Sequence, residues 1–415
     1  MWNLLATRRF GPLFVTQFLG AFNDNLFRTA LVFIVAYDVA AADPEKAAML
    51  ASTAAGLFIL PFVLFSGLAG SAADRRDKAA IARAVKLLEI GFMALGWAAL
   101  AIGSLELALA VVFLMGCHST LFGPVKYAIL PQHLRDEELI AGTGLVEAAT
   151  FVSILLGQVA GGLLATQAVG PIACTLAIIG WLAARAIPAA APEQPGQRLD
   201  WNLLSTSRAA LATAFGNRRL LVATLAISWF WALGAIYTSQ FVPMAKNVMG
   251  GDEAVSTLFL AAFSIGIAVG SVAVGRWLKG RISTRLCAAA GLVMALAGGD
   301  LWFSVPAVGS TPKDLALFFE LAASWRVLAD LLLLALAGGV FSVPLYAVLQ
   351  TAGPAQNRAS AIAANNIINS LFQVSAVLAA GAAVGAGLGV VPVLALSGLT
   401  VLLLLPALQG LDRQA

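Results

Sequence analysis

Asp24 is a carboxylate near the middle of an apolar run from about Phe10 to Tyr37. The stretch Gln17-Phe-Leu-Gly-Ala-Phe-Asn-Asp-Asn25 adds the carboxamides of Gln17, Asn23 and Asn25, and Arg28 follows. The run is long enough to cross a bilayer. A charge at its centre costs at least about 2.5–3.5 kcal/mol on insertion scales, so it needs a polar partner or a wet cavity. Two readings follow. Asp24 lines a substrate or ion pathway, or it pairs with Arg28 at i, i+4 and only locks a helix bundle. Gln17, Gly20, Ala21, Asp24 and Arg28 fall on one small-and-polar helical stripe, which favours the pathway.

Further along, His118, Phe122 and Lys126 recur every four residues. Lys126 sits about one turn from the end of its run. Its ammonium can snorkel to head groups, bind a phosphate, or pair with Glu147 at the start of the next run. Tyr127 beside it joins the candidate substrate-binding residues. Gly123-Pro124 is expected to kink the span and free backbone groups that line a cavity. His118 is either a packed core histidine or a polar lining residue. Asn365, Asn369 and Gln373 form an i, i+4, i+8 carboxamide stripe, with Asn366 beside it. Such amides can be glue between helices, each contributing on the order of 0.6 kcal/mol. Four near one another exceed what glue usually needs and favour a polar cavity. Phe18, Phe22, Phe27, Phe230, Trp231 and Phe241 would add an apolar lining, which suits an amphiphile better than a sugar.

Membrane-crossing helices must position these residues. The chain has 415 residues, 60% hydrophobic and 11% charged, with mean hydropathy +0.90, whereas a soluble domain has about 25% charged residues. Apolar runs fall at roughly 10–37, 48–70, 80–103, 106–130, 139–165, 170–188, 219–245, 253–278, 284–306, 326–350, 359–385 and 388–409. That is about twelve spans, and only helices satisfy their own backbone groups in this pattern. The third run is the least regular, because its first turns carry Arg83, Lys86 and Glu89. No stretch is long and polar enough for a separate catalytic domain, so an enzyme is not expected. Cys117, Cys174 and Cys287 lie in apolar runs and read as small core residues. With His118 and His133 the only histidines and no P-loop sequence, no metal site and no cofactor are expected. The net charge of +4 is not a nucleic-acid signal, because the basic residues lie in membrane-flanking loops.

One set of alternating loops holds nineteen Lys and Arg residues, among them Arg8, Arg9, Arg75, Arg76, Lys78, Lys86, Arg358 and Arg413. The opposite set holds four, Lys46, Lys246, Lys313 and Arg326. Both termini are therefore expected in the cytoplasm. Residues 189–218 form the one long cytoplasmic linker, between a six-span bundle at 1–188 and a second at 219–415. Its first part, Pro188 to Gly196, is expected to be irregular. The part after Asp200, through Arg208, can form an amphipathic helix on the membrane surface. A short internal repeat supports the division. Phe122-Gly-Pro-Val-Lys-Tyr127-Ala-Ile-Leu matches Phe341-Ser-Val-Pro-Leu-Tyr346-Ala-Val-Leu, 219 positions on, and the same offset pairs Glu147 with Asn366. Parallel duplication of this kind places a substrate site at midplane between the halves.

Gly70-Ser-Ala-Ala-Asp74-Arg75-Arg76-Asp77-Lys78, between spans two and three, resembles the Gly-x-x-x-Asp-Arg/Lys signature of the major facilitator superfamily. Read physically, Gly70, Asp74 and Arg75 form a gating latch. Asp74 can meet the positive N-terminus of a neighbouring helix, and the basic cluster can meet carboxylates or anionic lipids. The alternative is plain positive-inside charge. The corresponding loop of the second half, Gly275-Arg-Trp-Leu-Lys-Gly-Arg281, has no Asp.

The segments Gln17–Asn25, Gly123-Pro-Val-Lys-Tyr-Ala-Ile-Leu130, Gly144-Leu-Val-Glu-Ala-Ala-Thr150, Trp201-Asn-Leu-Leu204 and Ala361-Ile-Ala-Ala-Asn-Asn366 resemble the bacterial lysophospholipid transporter family. They also resemble the transporter module that some bacteria fuse to an acyltransferase/acyl-carrier-protein synthetase. The resemblance implies an all-α, twelve-helix major facilitator fold in a bacterial inner membrane. It implies movement of lysophosphatidylethanolamine and lysophosphatidylglycerol to the cytoplasmic leaflet for re-acylation, by flipping that is not proton-coupled. Asp24, Lys126 and Glu147 match positions charged in the family. The family's Arg on span seven and Glu on span eleven are replaced here by Thr238 and Asn369, as if a neutral polar pair stood for an ion pair. This places the chain nearer the fusion-module branch.

The reading is a lysophospholipid flippase working by alternating access, as a monomer in the lipid bilayer, with a cytoplasmic acyltransferase/acyl-ACP synthetase as an expected partner. Asp24 would contact an ammonium, Lys126 a phosphate, and the amides would supply neutral hydrogen bonds. Two rivals differ in kind. One is a proton-coupled exporter of drugs or other amphiphiles using Asp24 or Glu147. The other is a scaffold that hands lipid to an acyltransferase.

Overall fold

The computed structural model describes residues 2–35 and 44–412, so Tyr37, the expected end of the first span, and Arg413 lie outside the described residues. The first half comprises α1 (Gly11–Ile34), α2 (Pro44–Arg75), α3 (Lys78–Ile102), α4 (Leu105–Ala128), α5 (Asp136–Leu163) and α6 (Thr166–Arg185). The linker carries α7 (Leu203–Phe215). The second half comprises α8 (Arg218–Pro243), α9 (Glu253–Trp277), α10 (Arg285–Ala307), α11 (Ala322–Thr351), α12 (Arg358–Gly385) and α13 (Val390–Leu399), the last continued by short helices to Asp412. Among the described residues, eleven helices are long and apolar enough to cross a membrane. The helix outside that set with spanning length is α1, 24 residues long and carrying the polar stretch from Gln17 to Arg28.

Local sequence sets the helix ends. Asp77 accepts the Ala80 N–H at 2.7 Å and starts α3, Ser104 accepts that of Leu107 and starts α4, and Asn217 accepts those of Arg219 and Leu220 and starts α8. Each side-chain oxygen satisfies an orphan donor of the first turn. α2 runs on to Arg75, so Asp74, read as a loop residue, sits in the last turn of a helix. α4 continues through Pro124 without interruption to Ala128.

The two halves pack alike. In the first, α1 lies on α5, α2 on α4, and α3 on both α4 and α6; in the second, α8 lies on α12, α9 on α11, and α10 on both α11 and α13. The halves meet where α2 runs along α12 and α5 along α9. Among the described residues, every side-chain hydrogen bond and ring stack crossing between them lies at the end that carries the linker, reaching inward to Phe151 and Trp231. Phe151 is 15 residues into α5, about 22 Å along it. The bundle is thus closed on the linker side.

α7 forms within the stretch read as an amphipathic helix: Thr206, Ala210 and Ala214 are buried, and Ala210 and Ala214 pack with Ala363 and Ala364 of α12. Its outer face exposes Leu204 and Phe215, and Trp201, just before the helix, is exposed too. The segment before it has no regular structure but is tightly bonded. Lys78 N–H donates to Ala190 O at 3.0 Å, Ala190 N–H to Asp77 at 2.8 Å, and Gln194 N–H to Asp74 O at 2.8 Å.

Candidate functional site

Asp24 is 13 residues into α1, about 20 Å from its start. It is buried, and the Ser119 hydroxyl of α4 donates to it. Among the described residues it forms no ion pair with Arg28, whose guanidinium lies 4.2 Å from the centre of the Phe58 ring on α2. The locking pair is therefore not the arrangement found.

A buried charged network abuts Asp24. Lys86 Nζ lies 2.7 Å from Glu89 Oε2, His118 Nε2 lies 3.2 Å from the same oxygen, and Asn23 donates to Glu89 Oε1 at 3.2 Å and to Ala173 O at 3.0 Å. Lys86 and Glu89 are inside α3 and buried, so Lys86 does not belong with the loop charges. Gly20 makes room for the ammonium, because a Cβ there would fall on Lys86 Nζ. His118 is thus a buried network member. The signal in sequence was the i, i+3 spacing of Lys86 and Glu89 within an apolar run.

The remaining carboxamides of α1 serve packing. Gln17 donates to Thr150 of α5 at 2.9 Å. Asn25 donates to Ala21 O at 2.8 Å and lies against Gly157 of α5. One sequence stripe therefore faces several neighbours, and Asp24 is the residue of that stretch that engages α4.

The linker-side floor is built on the repeat. Tyr127 and Tyr346 stack with centroids 4.6 Å apart. Tyr127 donates to Glu147, Trp231 donates to the Tyr346 hydroxyl at 2.7 Å, and Phe151 stacks on Trp231 at 5.3 Å. Glu147 is fully buried, and its second oxygen has no hydrogen-bond partner. Lys126 is half-buried, 4.9 Å from the Tyr127 ring centre, and among the described residues makes neither an ion pair with Glu147 nor a hydrogen bond. The Lys126–Glu147 pair, one of the alternatives for Lys126, is not formed; Tyr127 donates to one carboxylate oxygen instead. Lys126 and Ser119 lie two turns apart, about 10 Å, on one face of α4.

The α12 amides divide. Asn365 is fully buried beside the Tyr346 hydroxyl. Asn366 directs Nδ2 at Gly123, and Asn369 keeps an unpartnered Oδ1. Gln373 donates to Asn369 O at 3.5 Å. Such capacity for hydrogen bonds is costly to leave unused. Thr238 is exposed and donates to Gly234 O of its own helix at 2.8 Å; no hydrogen bond joins it to Asn369 among the described residues.

Of the residues read as a latch, Arg75 bonds Ser71 of its own helix, while Asp74 meets a neighbouring helix N-terminus. Asp74 is buried and accepts the N–H groups of Ala359 and Ser360 at 2.9 and 3.0 Å and the Ser360 hydroxyl at 2.6 Å, at the N-terminus of α12. Gly70 permits the contact, since a Cβ there would come within 2.6 Å of Ala363. Sequence reasoning missed the linker's share. Glu193 bridges Arg358 at 2.5 Å and Lys78 at 3.4 Å, and Gln194 donates to Gln356 O and Asn357.

A family model described as Major Facilitator Superfamily matches residues 13–377. The chain is 30% identical over 393 residues to the lysophospholipid transporter LplT of Escherichia coli O1:K1, covering 91% of this chain and 89% of that one. The same figures hold for the LplT of Shigella sonnei. Among solved structures, the human organic anion transporter MFSD10 matches with a TM-score of 0.78 at 16% identity, over 97% of this chain and 99% of that one. The E. coli fucose:proton symporter FucP matches at 0.72 and 13% identity, over 96% and 97%.

Proposed function

Because the chain belongs to the Major Facilitator Superfamily and, within it, to the bacterial lysophospholipid transporter family, we propose that it flips lysophosphatidylethanolamine and lysophosphatidylglycerol across the bacterial inner membrane. It is a multi-pass membrane transporter and not an enzyme. Direction, head group and mechanism are part of the proposal. The basic residues gathered on the linker side support a cytoplasmic placement of that side. The closed linker side then corresponds to a state open towards the periplasm, from which the lipid enters.

The observation that supports this reading is the pairing left undone. Among the described residues Lys126 has no counter-ion, and Asp24 of α1 is engaged by the hydroxyl of Ser119, two turns from Lys126 along α4. A head group with a phosphate and an ammonium matches that pair of charges, and burial strengthens each contact. Asn366, Asn369 and Gln373 add neutral donors and acceptors, while the acyl chain stays in or near the bilayer through a lateral opening. Re-acylation by a cytoplasmic acyltransferase would consume the product. Flipping of labelled lysophospholipid in proteoliposomes tests the proposal, with and without a proton gradient. Transport that requires the gradient would favour the proton-coupled exporter instead.

A further inference from the structure

Arg28 lies on α1 one turn beyond Asp24, on the side away from the linker, 17 residues and about 26 Å from the helix start. Phe58 of α2 is at a similar depth, 17 residues before the linker-side end of its helix at Arg75. The guanidinium is 4.2 Å from the centre of the Phe58 ring, and both residues are half-buried. Among the described residues Arg28 makes neither a hydrogen bond nor an ion pair; it lies in the field of the Asp24 carboxylate without being bonded to it. A ring face attracts a guanidinium but leaves its N–H donors free for an anion. Asp24 takes the Ser119 hydroxyl on Oδ2, and Lys126 lies deeper, two turns further along α4 towards the linker side. Arg28, Asp24 and Lys126 therefore follow one another down the open path as cation, carboxylate, cation. The other charges nearby have partners: Lys86 and His118 meet Glu89, and Glu147 accepts the Tyr127 hydroxyl.

Together the three side chains carry one net positive charge. A head group of phosphate and ammonium satisfies Lys126 and Asp24 but leaves Arg28 without an anion. A head group of phosphate and glycerol offers Asp24 no cation. A phosphate joined to an α-amino acid supplies phosphate, ammonium and carboxylate, and its single net negative charge closes the balance. Ammonium and carboxylate on one carbon fit the one turn, about 6 Å, between Asp24 and Arg28, and a planar guanidinium takes a carboxylate bidentately. We propose that Arg28 and Asp24 form an α-amino-acid clamp, and that the transporter takes a lysophospholipid with a phosphoserine head group in preference to its ethanolamine analogue, with the phosphate on Lys126. This inference rests on the flippase reading and names the head group that its site fits best. Arg28 is then the residue that sets head-group specificity.

Calorimetric titration of the full chain in phosphatidylcholine nanodiscs with soluble head groups tests the clamp without requiring transport. Glycerophosphoserine should bind about tenfold more tightly than glycerophosphoethanolamine, which lacks only the carboxylate, as for a charge-assisted contact. Arg28→Gln should abolish that preference, and Arg28→Lys should keep part of it. Asp24→Asn should weaken both compounds alike, since both carry the ammonium. Where Arg28→Gln folds poorly, the wild-type ranking decides. Equal or weaker binding of glycerophosphoserine by the wild type, or a preference that survives in Arg28→Gln, overturns the clamp. Proteoliposomes form the second arm. Flipping of lysophosphatidylserine in competition with labelled lysophosphatidylethanolamine identifies the lipid as the ligand. Binding of the soluble serine compound without flipping of its lipid would overturn the lysolipid assignment and leave a free phosphorylated amino acid as the ligand. Flipping of neither lysolipid would count against the flippase reading, while the calorimetric ranking still decides the clamp.

Discussion

Tyr127 and Tyr346 occupy corresponding positions in the two halves, and their rings stack 11° from parallel across the interface. Opening the linker side must part these rings, separating the Tyr127–Glu147 side of the floor from the Tyr346–Trp231 side. Tyr346→Ala should therefore weaken the closed state. An aromatic pair contributes about 0.5–1.5 kcal/mol beyond its buried area, so labelling of a cysteine at Asn366 from the linker side should rise about two- to tenfold. Unchanged labelling would remove the stack from the gate.

Lys126 and Glu147 do not form an ion pair in this state. Lys126→Met should then lower uptake with little change in melting temperature, because no buried carboxylate loses a counter-ion. Adding Glu147→Gln should not restore transport. Rescue of uptake by the double variant would sink the phosphate assignment for Lys126.

Lys86 and Glu89 behave oppositely, being buried and 2.7 Å apart. Lys86→Met leaves the Glu89 carboxylate with His118 and Asn23 alone and should cost up to about 3–5 kcal/mol of stability. Lys86→Met combined with Glu89→Gln should recover most of that loss in a denaturation series. Equal stability of the single variant and the wild type would mean that the pair contributes nothing to the fold.

The helices were legible because an apolar run of sufficient length has one backbone solution in a bilayer. The Asp74 contact was legible too, since a carboxylate at a span end seeks a helix N-terminus. What each polar residue faces was not. Gln17, Asn23, Asp24 and Arg28 lie within a dozen positions of one another, yet they meet α5, α3 with α6, α4 and α2 respectively. Helical spacing sets direction around an axis, while tertiary packing decides which neighbour stands there. Lys86 was read as a loop charge because a buried lysine is recognised only through its partners. Glu193 was lost in a segment without periodicity, where pattern carries no contact information.

Asp74 and Glu193 fasten the closed side through the start of α12. Asp74→Ala removes three hydrogen bonds and should shift the protein away from the state closed on the linker side. Cavity cysteines should then label more slowly from the opposite side. Glu193→Gln should act in the same direction but more weakly, because its bonds lie nearer solvent. Unchanged accessibility on both sides would leave Asp74 a purely topological charge.

The most direct test measures labelled lysophosphatidylethanolamine flipped in proteoliposomes by the wild type and by Asp24→Asn, without a proton gradient. The expected result is gradient-independent flipping by the wild type and a loss of about tenfold or more in Asp24→Asn, as for removal of a charge-assisted contact, at an unchanged melting temperature. Flipping by Asp24→Asn at the wild-type rate would contradict the assignment of Asp24 to the substrate path.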